Sequence, residues 1–473
     1  MKRYLFTVIF ALATSLVAAQ TGHYWTESYG TRSMLLNGVV IGSVEDLGAT
    51  YYNPARIAQL KNPSFVISGK VYQYKVVRID DGLGDNIDLA SSKFGGAPSL
   101  VAGTFKVKFL EKHSFAYSFL TRNQNETNFS YSVHDFGNYV EAIPGQEFFG
   151  GEISAKSKTR DEWIGVSWSY PITDKLSVGA SGYYSGLDRG LVLDHQRQAY
   201  QPDSAITGMF LERRWYDYTS QGLLAKIGVS WASEKVTAGL TVTTPKAHIR
   251  GTGKLGYEKY LTGIDDLGID SLQNIYIYDS QTGLPVNSKT PWAIGAGAGF
   301  HFGKSIIHLS AEWFSAIDKH AILESAPFIA QSTGDELNQN IVEDLRPVLN
   351  YGIGYELYIN KNISAFGSFA TDFSAANPDL ARFKDLQREA SNTTFQADIY
   401  HLGFGTDIKT KFANLTLGAT YAFSKEPFER NLEIDDGSGN NTAMGEIKYN
   451  RWLFILGFEF PFLDKAKEKL DVE

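Results

Sequence analysis

Bond-breaking chemistry needs a nucleophile, a base or a metal at a fixed spacing, and this chain offers few such arrangements. Its nine histidines include His301, His308, His320 and His401, scattered among alternating runs with no Ser or Asp placed to join them. No GxSxG elbow and no HExxH zinc motif occurs, and Gly303-Lys304-Ser305 lacks the upstream glycine spacing of a phosphate-binding loop. Without cysteine there is no thiol nucleophile, disulfide framework or thiolate metal site. A dyad assembled across separate strands is the one catalytic alternative. The oxygen-rich run Asp435 to Asn441 could coordinate calcium, but its spacing is not that of an EF-hand, and it reads as a solvated loop. The chain is therefore not expected to be an enzyme or to carry a cofactor.

What stands out instead is non-covalent chemistry in the run GSVEDLGATYYNPA, Gly42 to Ala55. It combines two adjacent acids, of which Asp46 is the candidate, one amide, Asn53, and two adjacent phenols, Tyr51 and Tyr52. Gly48 loosens the backbone and Pro54 stiffens it, so the run is one or two short helical turns broken at the proline. Leu47, Tyr51, Tyr52, Ile57 and Leu60 need a place to be buried, and residues 20–63 hold no convincing strand of their own.

The elements that must surround this run announce themselves by alternation. From Trp292 to His301 the even positions are Trp292, Ile294, Ala296, Ala298 and Phe300, and the odd ones are Ala293, Gly295, Gly297, Gly299 and His301. After a tight turn at Gly303 and Lys304, the returning strand opposes Ile306, His308, Ser310 and Glu312 to Ile307, Leu309, Ala311 and Trp313. A soluble sandwich would bury the apolar row and leave the glycine row without purpose. A membrane barrel turns the apolar row to lipid and lets small or polar residues line a lumen or touch a plug. Leu349 to Ile359, Leu415 to Phe423 and Trp452 to Phe460 repeat the pattern, and Trp168, Tyr170, Trp292 and Trp452 fit interfacial aromatic girdles.

Fourteen such strands are predicted: 64–76, 100–110, 113–134, 155–170, 175–195, 208–232, 236–250, 288–302, 305–321, 344–359, 362–376, 393–409, 412–425 and 446–460. Six short turns alternate with seven long polar connections, among them 251–287 and 322–343. An even-stranded barrel with both ends on one side of the membrane requires that rhythm. The expectation is an all-β, transmembrane antiparallel β-barrel with an N-terminal lumenal segment.

Composition agrees: 26 Tyr, 30 Phe and 45 Gly with 20% charged residues describe an aromatic-rich β protein. A net charge of -8 without a basic stripe excludes general nucleic-acid affinity. Residues 1–19, with Lys2 and Arg3, a short apolar run and Ala18-Ala19, read as a signal peptide, the alternative being a membrane anchor for which the run is short. The organisation expected is signal peptide 1–19, lumenal segment 20–63, barrel 64–462 and charged tail 463–473.

The chain resembles the FadL-type family of outer-membrane transport proteins, which carry long-chain fatty acids and other hydrophobic compounds into Gram-negative cells. The residues that carry the resemblance are Gly42 to Ala55, the first strand from Ser64 and the strands counted from there. Asn53, Pro54 and Ala55 match a tripeptide of the family's hatch, and Asp46 and Ala49 match its upstream acidic and small residues. The architectural likeness spans 20–460, the motif likeness only about 42–66. The tail LDKAKEKLDVE departs from relatives that end near an aromatic residue. The resemblance implies an outer-membrane protein in which Asp46, Gly48, Asn53, Pro54 and Ala55 hold a gating hatch. Tyr51 and Tyr52 would either face a hydrophobic ligand, a fatty acid or hydrocarbon, or simply pack the plug. The partners implied are that ligand and outer-membrane lipid. A subgroup with the same tripeptide resembles secretion accessory proteins, so a secreted or secretion-machinery partner protein is the alternative.

Overall fold

A computed structural model describes residues 22–60, 65–80, 88–140, 143–263, 274–377, 390–391, 397–410, 413–431 and 442–460. The segment read as a signal peptide, the oxygen-rich run 435–441 and the tail 463–473 lie outside them. The first seven strands are β1 (Phe65–Asp80), β2 (Leu89–Phe105), β3 (Ser114–Gly137), β4 (Glu147–Pro171), β5 (Leu176–Gln201), β6 (Ile206–Ala232) and β7 (Val236–Thr243). Next come β8 (Ala247–Thr262), β9 (Ile275–Pro285), β10 (Ala293–Phe302), β11 (Ser305–Phe314), β12 (Ile317–Leu323), β13 (Phe328–Ile329), β14 (Glu336–Leu337) and β15 (Ile341–Leu345). The last are β16 (Val348–Tyr358), β17 (Ile363–Asp372), β18 (Ala390–Ser391), β19 (Ile399–Lys409), β20 (Asn414–Asn431) and β21 (Thr442–Phe460).

Strands β1 to β7, β10, β11, β16, β17, β19, β20 and β21 close into a 14-stranded antiparallel barrel. The ring is completed by β1 against β21, in register from Phe65↔Phe460 to Asp80↔Glu446. Each barrel strand lies within or beside one of the fourteen alternating runs of the sequence. Outward rows are exposed, with Ile164 at 58%, Leu240 at 60% and Ile294 at 50%, while the opposite rows are buried or small. Strands β10, β11, β16, β17 and β19 have 10 or 11 residues. At about 3.3 Å per residue and a tilt near 45° they just cross an apolar band about 25 Å tall. Strands β3 to β6 have 24 to 27 residues, so this side of the wall projects well beyond the band.

The run 236–250, expected to be one strand, is two. Pro245 has no amide to donate, and the chain breaks there between β7 and β8. The connections read as long and polar also carry strands. β8 and β9 form a hairpin along the upper part of β6. β12, β15 and β18 make a small separate sheet, and β13 pairs with β14. Ile322, Leu323 and Ile341 of the small sheet are buried in one cluster with inward residues from around the barrel, including Val77, Phe129, Leu191 and Tyr449. The small sheet thus lies as a lid over the barrel interior, at the end that carries the long connections. Its strands are short, of two to seven residues, too few for alternation to announce them.

Two ladders are interrupted. β2 and β3 pair only from Leu100↔Leu120 to Phe105↔Phe115, although both strands continue outward. Just past that point β3 has an extra residue, Arg122, between Thr121 and Asn123 in its pairing with β4. The second interruption separates the β7–β10 ladder, ending at Thr243↔Ala293, from the β8–β9 ladder, starting at Thr252↔Pro285.

Candidate functional site

Residues 22–60 lie inside the barrel and trace its inner wall. They contain two four-residue helices, α1 (Arg32–Leu35) and α2 (Ala49–Tyr52), and a 3-10 helix, Pro54–Gln59. The inward glycines of the strands are their seats. A Cβ on Gly457 of β21 would stand 2.8 Å from Thr31, one on Gly418 of β20 2.4 Å from Leu35, and one on Gly352 of β16 2.5 Å from Val39. Farther round, Gly297 of β10 lies under Gly42, Gly239 of β7 and Gly228 of β6 under Asn53, and Gly179 of β5 under Pro54 and Ala55. The segment therefore circles the wall against the numbering of the strands.

Asp46 is fully buried and gathers the segment's own backbone. Its carboxylate accepts from the Thr31 amide, the Ser33 amide and hydroxyl and the Gly48 amide, each at 2.9 Å. Burial raises the titration of this carboxyl above its ordinary range, and the hydrogen bonds from Ser33 and Gly48 hold back part of the rise. Gly48 has an ordinary helical φ of -56°, so its conformational freedom is not what the fold uses. A Cβ there would lie 2.7 Å from Asp46 Oδ1 and 3.0 Å from the Tyr29 carbonyl, so the missing side chain is what matters.

Asn53 clamps the segment to the wall. Its Nδ2 donates to the Ile41 carbonyl at 2.9 Å and to the Val229 carbonyl of β6 at 3.2 Å, while Oδ1 accepts from the Ala55 amide at 3.1 Å. Pro54 opens the 3-10 helix, a position where its missing N–H costs nothing. The Ala55 carbonyl accepts from Ser169 Oγ of β4 at 2.9 Å and Ser177 Oγ of β5 at 2.8 Å. The start of the segment is tied as firmly. Asp372 of β17 accepts from the amides of Tyr24 and Trp25 at 2.8 and 2.9 Å and from Thr26 Oγ1 at 2.7 Å.

The two tyrosines part company. The Tyr52 hydroxyl accepts from the Tyr29 amide at 2.9 Å, and burial holds this phenol neutral far above its usual range. Tyr51 instead lines a lumenal cavity of about 160 Å³ that lies between the segment and the lid, with Tyr24 on one side and Ile317, Glu343 and Leu345 on the other. Its ring packs 4.5 Å from Tyr29 and 6.1 Å from Trp163, with Lys226 Nζ at 4.7 Å and the Arg122 guanidinium carbon at 5.8 Å from its centroid. The bulge in β3 aims Arg122 at this spot.

Sequence reasoning missed the charges of this cavity. Arg122 donates to the Tyr24 carbonyl at 2.8 Å and lies over Trp163 as well as Tyr51. Lys246 donates to Ser220 Oγ at 3.0 Å. Among the described residues neither cation forms a salt bridge. Glu312 accepts from Trp25 Nε1 at 2.8 Å and faces Lys226 at 3.4 Å. Asp161 accepts from Trp163 Nε1 at 3.1 Å and Ser185 Oγ at 2.9 Å. The available signal was a charged residue in an otherwise small inward row, as with Glu312 opposite Trp313. Among the described residues no group of three His, Asp or Glu side chains could hold a metal ion.

The sequence matches no protein-family model and no curated protein. Solved structures resemble the fold. A Pseudomonas aeruginosa FadL homologue aligns over 93% of this chain and 100% of its own at 13% identity and a TM-score of 0.56. The P. putida toluene transporter TodX aligns over 92% and 99% at 11% identity and 0.56. The Ralstonia pickettii toluene transporter TbuX aligns over 92% and 99% at 13% identity and 0.50. At these identities the likeness is one of fold.

Proposed function

We propose that the chain sits in the outer membrane of a Gram-negative bacterium and passively admits small hydrophobic compounds of about one aromatic ring, with residues 22–60 as its hatch. The observation that carries this reading is the cavity of about 160 Å³ between the lumenal segment and the lid, where Tyr24, Tyr51, Trp163 and Phe314 stand among charged side chains. An apolar cavity of roughly 150 Å³ holds benzene, whereas a long-chain fatty acid needs several times that space. The solved barrels of the same fold are titled as a FadL homologue and toluene transporters, which supports a conduit for greasy solutes.

The energetics suit passage. A single ring exposing roughly 150 Å² gains about 4 kcal/mol on leaving water at 25 cal/mol per Å². That corresponds to a dissociation constant near millimolar, weak enough for rapid release. Stacking on Tyr51 and Trp163 orients the ring, and Arg122 and Lys246 favour a solute with a polar or anionic edge. The interrupted β2–β3 ladder lies beside Arg122 and Asn123 in the cavity wall. With the bonds that cross it released, among them Thr121 Oγ1 to the Pro98 carbonyl and Asn128 N to Ser91 Oγ, it is the way we assign out of the barrel.

The test is uptake of radiolabelled toluene and oleate by Gram-negative host cells lacking their own transporters, at equal amounts of folded protein. Toluene uptake should rise above the empty-vector cells and oleate uptake should not. Equal stimulation of both overturns the size argument. Stimulation of neither, with a stoichiometric protein partner retained in native mass spectrometry, replaces transport by the secretion-accessory role.

A further inference from the structure

The lid lies across one end of the cavity, and the second ladder interruption opens beside it. Between Thr243↔Ala293 and Thr252↔Pro285 two stretches of wall, 244–251 and 286–292, run without pairing to each other. The first stays on β6, where Thr244 N donates to the Ala225 carbonyl at 2.9 Å. The second is drawn inward to the lid: Val286 bridges to Leu323, and Asn287 N donates to the Ile322 carbonyl at 3.0 Å. Pro245 and Pro291, one in each stretch, have no amide with which to zip the gap. Among the described residues one hydrogen bond crosses it, from Lys246 N to Thr290 Oγ1 at 2.7 Å.

The cavity reaches the wall at this place, since Thr243, Thr244 and Lys246 line it from one stretch and Ser288, Lys289 and Thr290 from the other. Outside, exposed apolar side chains stand on the lip, Ile249 at 56%, Trp292 at 49% and Ile294 at 50%, beside the exposed His248, Arg250 and Lys289. A hydrophobic solute collects on these side chains and leaves them for the cavity without passing the lid. Resting on the transport reading above, we propose that solute is admitted sideways, through a slot between 244–251 and 286–292 latched by Lys246 and Thr290. The slot is separate from the β2–β3 interruption, so one cavity communicates with two openings in the wall.

The chain has no cysteine, so an introduced pair is the only one present. Lys246→Cys/Thr290→Cys stands across the latch, where the 2.7 Å hydrogen bond brings the two residues within bridging reach. The control, Leu240→Cys/Ala296→Cys, bridges two directly paired outward positions of the closed wall. Toluene uptake by host cells is measured for each variant oxidised and reduced. Because Lys246 also lines the cavity, the latch variant is compared with its own reduced form: uptake should be abolished on oxidation relative to that form, and the control should be indifferent. Lys289→Cys, exposed at the slot, gives a second measurement that needs no bridge: a bulky maleimide on it should block uptake. Undiminished uptake by the oxidised latch variant, or by the maleimide-labelled protein if the bridge does not form, overturns the slot. Failure of the wild type to take up toluene instead sinks the transport reading itself.

Discussion

Asn53 and the two glycines beneath it form a lock that can be broken from either side. Asn53→Ala removes three hydrogen bonds, to Ile41, Val229 and Ala55, and leaves buried backbone groups short of a partner. At roughly 1 kcal/mol for each, the seated segment loses about 3 kcal/mol relative to a released one. That raises the released fraction about a hundredfold. Gly228→Ala attacks the same lock from the wall, placing a Cβ 2.1 Å from Asn53 Oδ1, closer than any real contact. In the double variant the new methyl occupies space vacated by the amide, so its effect should fall short of the sum of the singles. The assay is swelling of liposomes in a small sugar, with heat-modifiable migration reporting an intact barrel. Both single variants should leak and the double variant should leak less than their combined effect. Leakage unchanged from wild type in Asn53→Ala, with the barrel intact, would falsify the claim that this residue seats the segment. Strict additivity would show that the two residues act apart.

Tyr51→Ala should lower toluene uptake without raising sugar leakage, because its ring faces the cavity. Tyr52→Phe should do the reverse by about 1 kcal/mol through loss of the Tyr29 bond, and a swap of these two phenotypes refutes the assignment. Pro54→Ala keeps every outward row and should assemble a normal heat-resistant barrel. The freer unfolded chain costs the seated segment about 0.4 to 1 kcal/mol, read as a modest rise in leakage or a change in toluene uptake. No change in either refutes a gating part for this turn, and a barrel that fails to assemble would make Pro54 a folding residue.

The barrel was legible because each strand writes one face in apolar residues and the other in small ones, as in Ile294, Ala296 and Ala298 against Gly295, Gly297 and Gly299. The run Gly42 to Ala55 was legible as a unit needing burial. Which tyrosine faces the cavity was not, since consecutive residues on a helical turn point about 100° apart and nothing local says which direction is inward. Arg122, Asp161, Lys226, Lys246 and Glu312 come from five separate stretches of chain and meet only once the wall is closed. The break at Pro245 was readable from the proline itself, but alternation on both sides masked it.

The circular path of the lumenal segment bears on how the molecule is made. Its early residues fasten to late strands, Tyr24 to Thr26 to β17 and Glu27 to Arg451 of β21 across 424 positions, while its last residues fasten to β4 and β5. Contacts so distant along the chain form late. The segment emerges first during synthesis yet has no complete seat until β21 arrives. Its early neighbours are the inner faces of β4, β5 and β6, where Ala55 and Asn53 anchor. Biogenesis should therefore proceed from the Asn53 end of the segment toward Thr31, with the seam between β1 and β21 sealing around an occupant already in place.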